Sequence, residues 1–186
     1  VVGEGGNLGL PQLGRIEFAL GGGRINTDAI DNSGGVHSSD REVNIKIPLN
    51  QLIKEGDLDL ETRNPLLARM TDDVAKAVLR DNYVQSEAIS LLELSAASRL
   101  DEHANLMRTL ERDGLLDRVV EFLPDDESLK ERRTRNQGLT RPELSVLLAY
   151  SKISLFDSIL NSEVPDDPFF ERDLLDYFPA ELRGDF

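Results

Sequence analysis

The sequence predicts a mainly α-helical protein, with a short α/β fragment in residues 1–50 and a helical domain in residues 51–186. Glycine divides the chain in this way, because most of its 14 glycines precede Val36. Glycine permits positive φ and close approach of a ligand, so the first part is interpreted as functional loops between short elements. The second part has few glycines and a helical spacing of apolar residues, which is typical of amphipathic helices.

The first part follows the order strand, loop, helix, strand. Val1-Val2 fits the end of a buried strand, which leads into a glycine-rich loop at residues 3–9. Residues 11–20 fit a short helix, and the glycines at 21–23 are expected to end it, since glycine commonly terminates helices. Residues 24–26 fit a second strand. This order is a fragment of an α/β unit.

The chain after Gly35 contains several signals for the start of a helix. Ser39 begins a capping-box pattern, and Pro48 is expected to kink or end the helix that follows. Asn64-Pro65 and Thr71 mark two further starts. Thr140-Arg141-Pro142-Glu143 is another capping box, with proline in the first turn.

Between Thr71 and Thr140, apolar residues from Ser86 onward repeat at helical spacing, and Gly114 is expected to end the run. The residues expected in the core are Ile89, Leu92, Ala96, Leu100, Met107 and Leu110, and in the last long helix Leu144, Leu147, Leu148, Leu155, Phe156 and Ile159. A final amphipathic segment begins at Asp167-Pro168. The body of the chain is therefore predicted to be all-α.

The composition argues against several kinds of partner. The net charge of −14 at pH 7 disfavours nucleic acid, which is bound by clustered Lys and Arg. No apolar run is long enough to span a bilayer, so no membrane partner is expected. Cysteine is absent, and His37 and His103 have no metal-like spacing, so we expect neither disulfides nor a metal site. The first residues do not form a secretion signal, which favours a cytoplasmic protein.

The loop at residues 3–9, Gly-Glu-Gly-Gly-Asn-Leu-Gly, is the first candidate for ligand binding. It invites comparison with the dinucleotide fingerprint, in which glycines let backbone N–H groups reach a pyrophosphate. The fit is poor, because after Gly3 and Gly5 the third glycine comes one position late. The pyrophosphate interpretation is therefore the weaker one for this loop.

The second candidate is the segment at residues 31–40. Gly34-Gly35 presents bare backbone, and Ser38 and Ser39 stand at an expected helix N-terminus, where free N–H groups favour an anion such as a carboxylate. The alternative is a flexible loop followed by a simple N-cap. Nearby acids suggest hydrolysis or a metal, but no base, nucleophile and orienting group stand in a recognisable order.

Together these segments resemble a run found in glutamate dehydrogenases, with the pattern E-G-A-N, P-D, N-A-G-G-V and S-Y-F-E. The matching stretches are Glu4-Gly5-Gly6-Asn7, Thr27-Asp28, Asn32-Ser33-Gly34-Gly35-Val36 and Ser39-Asp40-Arg41-Glu42, and their spacing from Asn7 to Ser39 has no gap. Four further stretches, at residues 14–17, 22–32, 42–47 and 139–144, resemble the bacterial large-subunit NAD-dependent branch of that family. The resemblance covers most of the chain and indicates a C-terminal fragment of such an enzyme.

This resemblance implies that the parent enzyme oxidises L-glutamate with NAD and water to 2-oxoglutarate, ammonium and NADH. Residues 1–50 then form the end of a Rossmann-like NAD-binding domain, and residues 51–186 form the C-terminal helical domain. Carried over by position, the cofactor-binding residues are Gly5, Gly6, Asn7, Asn32, Gly34 and Gly35, and the substrate-binding residues are Val36 and Ser39. Asn7 and Asn32 contact the nicotinamide end of NAD, and Ser39 donates a hydrogen bond to the side-chain carboxylate of glutamate.

The same resemblance assigns no catalytic residue and no metal ligand to this chain. The lysine and aspartate that perform the acid–base work are expected before Val1 in the parent enzyme, so the fragment alone is expected to be inactive. Its partners are then the remainder of the parent chain and the other subunits of a homo-oligomer. The alternative function is a helical regulatory or oligomerisation module of a large multidomain enzyme.

The chain also departs from the family pattern. Gly6 and Ser33 each replace an alanine, and Asp40-Arg41 replaces two aromatic residues. We expect the two small replacements to be tolerated. Asp40 places an acidic side chain next to Ser39, which is expected to bind a carboxylate. The role of Ser39 therefore needs a direct test.

Overall fold

The computed structural model describes residues 1–6 and 9–183, which form helices and connecting segments. The α-helices are α1 Gln12–Leu20, α2 Asp28–Asp31, α3 Ser33–Glu55, α4 Leu60–Arg69, α5 Thr71–Leu94, α6 Leu100–Arg112, α7 Asp126–Thr134, α8 Arg141–Leu160 and α9 Glu171–Tyr177. Short 3-10 helices occur at Val164–Asp166, Pro168–Phe170 and Ala180–Leu182. None of the described helices combines the length and the apolar character that crossing a bilayer requires. The prediction of a mainly α-helical chain is confirmed.

The predicted α/β fragment is wrong, because the described residues contain no strand. The two segments expected to be strands do approach each other, since the Val2 N–H donates to the Arg24 carbonyl at 2.9 Å. One hydrogen bond is not a ladder, and a segment as short as Val1-Val2 offers too few backbone groups to build one. Ile25, an apolar residue of the expected second strand, is buried although no strand forms there. The Rossmann-like description of this part is therefore not supported.

The chain packs into two compact units. The first contains Val1–Asn32 and Val84–Asn161, and the second contains Ser33–Tyr83 and Ser162–Phe186. Helix α5 contributes residues to both units. The predicted domain boundary near residue 50 concerns the domains of the parent enzyme and stays a prediction.

The core of the first unit is formed by α6, α7 and the first half of α8, together with the segments between them. Its buried residues are Ala96, Leu100, Ala104, Met107, Leu110, Leu116, Leu123, Leu129, Leu139, Leu144, Val146 and Leu147. The apolar spacing after Ser86 predicted most of these positions correctly. It predicted one continuous helix, however, whereas the helix breaks between Leu94 and Leu100. Gly138 explains part of this packing, because a Cβ atom there would lie 2.4 Å from the carbonyl carbon of Ala96.

Helix α8 is buried at its start and exposed at its end. Thr140 and Glu143 form the predicted capping box, with Pro142 in the first turn. Arg141 and the six residues that follow it are all buried. By contrast Leu155 and Phe156, which were expected in the core, are 59% and 63% exposed. Helical spacing predicted which apolar residues share one face of α8, but it could not show that Leu155 and Phe156 on this face stay exposed.

The core of the second unit is smaller and lies between α3, α4 and the start of α5. Ile45, Leu49, Leu66 and Met70 are its buried residues. Here two predicted boundaries are wrong. Helix α3 continues through Pro48, and α4 starts at Leu60, where the Asp59 carboxylate caps it by accepting from the Thr62 N–H at 2.7 Å. A proline inside a helix removes its own N–H donor and crowds the carbonyl four residues before it. At Pro48 the burial of Ile45 and Leu49 on either side favours continuation of the helix.

His103 is a polar exception in the first core. It is 6% exposed, and neither ring nitrogen has a hydrogen-bond partner within the described part of the chain. Burial lowers the pKa of His103 below its usual 6.5, and the nearby Arg99 guanidinium lowers it further, against the opposing effect of Glu102. The folded chain therefore takes up a proton on His103 less readily than the unfolded chain does.

We expect the free energy of unfolding to fall as the pH drops below about 6.5, because the unfolded chain then binds a proton that the folded chain excludes. The contribution of neutral His103 to the free energy of unfolding is complete above pH 6.5. It is lost once the pH falls below the lowered pKa of His103 in the folded chain. His103→Leu should abolish this part of the pH dependence and stabilise the chain by about 1 kcal/mol at neutral pH, since it removes unsatisfied buried nitrogens. Urea unfolding of both proteins at pH values on either side of 6.5 measures the effect. If the free energy of unfolding depends on pH equally in the two proteins, His103 is not the source of the pH dependence.

Candidate functional site

The glycine-rich loop near the N-terminus is held in place by Glu4. The Glu4 carboxylate accepts a hydrogen bond from the Gly9 N–H and forms an ion pair with Arg15. Arg15 is only 2% exposed, and its guanidinium also donates to the carbonyls of Leu10 and Asn26, at 3.1 Å each. A buried guanidinium with these fixed partners anchors the base of the loop.

The tip of this loop contains the first predicted cofactor-binding residues. Gly5 and Gly6 are exposed, and a Cβ atom at either position would meet no other atom within 4 Å. Their backbone is therefore open to a ligand, as the predicted role requires. Asn7, the third residue predicted here, lies outside the described residues.

Asn32 follows the last residue of α2, and hydrogen bonds connect this helix to the loop. The Asp31 carboxylate accepts from the Glu4 N–H at 3.3 Å and from the Asn26 side-chain amide at 2.8 Å. Glu4, Arg15, Asn26 and Asp31 thus form one set of linked contacts, which we call the loop network. The structure brings together, within the first unit, the loop that contains Gly5 and Gly6 and the helix end that contains Asn32.

The other predicted residues lie in the first two turns of α3. The prediction that this helix starts at Ser38 or Ser39 is wrong, because it starts at Ser33 and includes both glycines. The Ser38 hydroxyl donates to the Gly34 carbonyl at 2.7 Å, a bond typical of a serine within a helix rather than at its cap. Ser39 is exposed, and no partner for its hydroxyl occurs among the residues that the structure describes. It is free to donate to a ligand, although not as a helix cap.

Gly34 is a glycine that the fold itself does not need. Its φ is not positive, and a Cβ atom there would lie 3.7 Å from a methyl group of Val78, which is an ordinary contact. Glycine is nevertheless among the least favourable residues in a helix. Neither the backbone conformation nor the packing of the described chain therefore requires glycine at position 34, and its predicted role in binding the cofactor stays a prediction.

Two departures from the family pattern have structural explanations. Ser33 is buried, and its hydroxyl accepts a hydrogen bond from the Asn82 side chain at 2.9 Å. Arg41 binds Asp81 at 2.9 Å, donates to the Tyr177 carbonyl at 2.9 Å and lies 4.7 Å from the centre of the Tyr177 ring. An arginine in place of an aromatic residue thus attaches the C-terminal segment to α3 within the second unit.

Arg41 also lines a cavity of about 400 Å³ in the second unit, with Arg80, Asp81, Tyr177 and Arg183 among its other lining residues. None of the predicted cofactor-binding or substrate-binding residues that the structure describes lines this cavity. The cavity is therefore separate from the predicted site. The common cleft that the resemblance implies for Asn7, Asn32 and Ser39 stays a prediction.

Arg141 is a residue of the site region whose importance was missed. It is 6% exposed, and its guanidinium donates to the Asn26 side-chain oxygen at 3.0 Å, to the Ser90 hydroxyl at 3.1 Å and to the Glu93 carboxylate at 2.7 Å. The sequence does contain a signal, because a cation at the first position of a helix is unfavourably placed relative to the helix dipole. An arginine in that position suggests a specific buried partner elsewhere in the chain.

Comparison with known proteins gives two family matches. Residues 1–92 match the model of the bacterial NAD-glutamate dehydrogenase catalytic domain, and residues 136–186 match the model of the glutamate dehydrogenase C-terminal region. These two ranges include all of the predicted site residues, the whole loop network and Arg141. The family to which the quoted motifs are similar is therefore the family that the models identify.

Individual relatives agree. NAD-specific glutamate dehydrogenases of Pseudomonas aeruginosa, Halomonas elongata and Mycobacterium tuberculosis are 55%, 51% and 45% identical to this chain over 186, 182 and 186 residues. The alignments cover 100%, 98% and 100% of this chain but only 12%, 11% and 12% of the respective relatives. The chain belongs to the bacterial NAD-specific glutamate dehydrogenase family, as a fragment of a much larger protein.

Proposed function

We propose that the full-length protein containing this chain oxidises L-glutamate with NAD and water to 2-oxoglutarate, ammonium, NADH and a proton. The observation that supports this most directly is the identity of 45–55% to NAD-specific glutamate dehydrogenases along essentially the whole chain. NAD is the cofactor for which those relatives are named. The activity belongs to the whole enzyme, and the chain supplies part of its site.

The residues of this chain suit a role in binding rather than in acid–base chemistry. Gly5 and Gly6 offer open backbone, and Gly34 lacks a side chain that its helix would accommodate. We propose that these glycines, with Asn7, Asn32 and Gly35, bind the nicotinamide end of NAD. When bound, NAD accepts the hydride from the α-carbon of glutamate. Val36 and Ser39 hold the substrate in position for that transfer.

The direct test is an assay of the purified full-length enzyme. We expect L-glutamate and NAD together to give NADH, 2-oxoglutarate and ammonium in equal amounts, and we expect the 186-residue fragment to give none. A full-length enzyme that binds NAD but reduces it with a different substrate contradicts the proposed reaction. NADH formation by the purified fragment contradicts the expectation that catalytic residues lie elsewhere.

Ser39→Ala tests the substrate side. We expect about a tenfold increase in KM for glutamate and an unchanged KM for NAD, because the variant loses one hydrogen bond to a charged carboxylate. Ser38→Ala is the matched control, since the Ser38 hydroxyl already donates to the Gly34 carbonyl and faces no ligand in the proposed arrangement. Equal effects of the two substitutions on KM for glutamate would argue against Ser39 as a ligand of the carboxylate.

A second role, as an interaction module, is favoured by the exposed end of α8. Ile153, Leu155, Phe156 and Leu160 are 50–63% exposed, and clustered exposed apolar side chains commonly mark interfaces. We propose that this end of α8 packs against the remainder of the parent chain. We also propose that the intact enzyme is cytoplasmic, because NAD is held inside the cell, and that it is a homo-oligomer. Light scattering of the full-length enzyme tests the oligomeric state.

A further inference from the structure

We propose that Arg141 is a positioning residue for the cofactor side of the site, which it supports by fixing Asn26 and, through Asn26, the loop network. This inference rests on the proposed function, because it assigns Arg141 to the binding of NAD. Among the residues that the structure describes, Arg141 donates hydrogen bonds to Asn26, Ser90 and Glu93, and none of these is a predicted ligand residue. Its effect passes through side chains whose contacts are all within the first unit.

The geometry around Arg141 restricts its guanidinium to one orientation. Its Nε–H donates to Asn26, and its Nη1 group donates to both Ser90 and Glu93, so α5 supplies two of the three acceptors. Glu93 also supplies the negative charge that a buried guanidinium needs. A planar guanidinium can reach acceptors on two sides at once, whereas a lysine ammonium on its flexible stem cannot reproduce the pattern.

Asn26 transmits this constraint because both ends of its side-chain amide are used. Its oxygen accepts from Arg141, and its amide nitrogen donates to the Asp31 carboxylate at 2.8 Å. This pairing allows only one orientation of the amide. The Asn26 backbone carbonyl also accepts from Arg15 at 3.1 Å. Asn26 is therefore the point at which α8 is joined to the loop network.

From Asp31 the contacts reach both predicted cofactor segments. Asp31 immediately precedes Asn32, and its carboxylate accepts from the Glu4 N–H, one residue before Gly5. Loss of the Arg141 contact leaves the Asn26 oxygen without its charged donor, so the amide can rotate and release Asp31. The loop and the end of α2 then lose the contact that sets their separation. An effect on NAD is expected, because both segments belong to the proposed cofactor side.

The experiment compares the Arg141→Met and Arg141→Lys variants of the full-length enzyme with the unaltered enzyme. For Arg141→Met we expect KM for NAD to rise about tenfold and KM for glutamate to change less than about twofold, because only the cofactor segments are displaced. Arg141→Lys should recover little of the loss, since it cannot bind the acceptors on both sides. Full recovery by lysine would show that charge alone matters and would overturn the inference.

Arg118→Met is the matched control. Arg118 is also largely buried in the first unit and pairs with Glu111 at 2.9 Å and Asp126 at 3.1 Å, but it has no contact with the loop network. Arg118→Met should reduce thermal stability without changing KM for NAD. If it raises KM for NAD as much as Arg141→Met does, the effect is a general loss of stability and the inference is wrong.

A double variant that combines Asn26→Ala with Arg141→Met tests whether Arg141 acts through Asn26. If Arg141 acts through Asn26, the double variant should raise KM for NAD no more than the stronger single variant does, whereas independent effects would multiply. Multiplying effects overturn the inference. Failure of the proposed function is a separate outcome, since the unaltered full-length enzyme would then not oxidise glutamate with NAD at all.

Discussion

Replacing Glu143 with glutamine is expected to lower the free energy of unfolding by about 3 kcal/mol, because it leaves a largely buried arginine without its counter-charge. Glu143 is 1% exposed, and its two carboxylate oxygens accept from the two terminal nitrogens of Arg132 at 2.7 Å each. The same carboxylate accepts from the N–H and the hydroxyl of Thr140, at 2.6 and 2.7 Å. Glutamine keeps the shape of the side chain, but its amide nitrogen cannot accept a hydrogen bond from Arg132.

Urea unfolding followed by circular dichroism measures this loss, and two comparisons identify its cause. Glu102→Gln removes an ion pair with Arg99 on the exposed face of α6 and is expected to leave the unfolding midpoint unchanged. Arg132→Met combined with Glu143→Leu removes both buried charges and should recover most of the stability, because no unpaired charge remains. If the double variant is less stable than Glu143→Gln, the unpaired charge is not the cause.

The buried pair of Arg132 and Glu143 also matters for the candidate site. Glu143 lies two residues after Arg141 and fixes the first turn of α8, from which Arg141 reaches Asn26. A frayed first turn would move the Arg141 guanidinium away from its acceptors. We therefore expect Glu143→Gln to weaken NAD binding in the full-length enzyme as well, through the same contacts as Arg141→Met.

The parts of the fold that the sequence predicts correctly are those set by neighbouring residues. The capping box at Thr140 and Glu143 joins residues three positions apart, and the glycine stop after α6 occurs at Gly114, where φ is +72°. Apolar spacing also identified most of the first core, because burial on one face of a helix leaves a periodic pattern. These signals need no knowledge of distant parts of the chain.

The errors arise where distant contacts outweigh local preference. The predicted helix end at Pro48 is wrong, because Ile45 and Leu49 on either side of it are buried and stabilise α3. The predicted kink at Pro48 stays a prediction. Val1-Val2 and residues 24–26 were interpreted as strands, but Val1 and Val2 are exposed and only one backbone hydrogen bond, from Val2 to Arg24, joins the two segments. Local propensity is a weak preference compared with packing.

For the candidate site, the sequence indicated the motif residues but not the contacts that position them. The motif residues were identified by resemblance, and their spacing along the chain was sufficient for that. The loop network and Arg141 were not foreseen, because the bond from Arg141 to Asn26 joins residues 115 positions apart. Resemblance assigned binding roles to the motif residues, and those roles stay predictions, whereas the contacts that position these residues depend on the complete fold.

Gly34→Ala is expected to change stability and activity in opposite directions. The added methyl group would lie 3.7 Å from Val78, an ordinary contact, and alanine favours a helix over glycine, so the free energy of unfolding should rise by about 0.5 kcal/mol. In the full-length enzyme the methyl group would stand on the surface that the proposed ligand approaches. Displacing bound NAD or glutamate by about 1 Å is expected to reduce kcat/KM on the order of a hundredfold.

Gly14→Ala is the matched control for this pair of effects. Gly14 also lies in the first turn of a helix, its φ is not positive, and a Cβ atom there would meet only the Pro11 ring at 3.5 Å. Gly14→Ala should raise the free energy of unfolding by a similar amount and leave kcat/KM unchanged. Thermal unfolding and steady-state kinetics of both variants separate the two effects. If Gly34→Ala is more stable and fully active, no ligand approaches Gly34, and its proposed role in binding NAD is wrong.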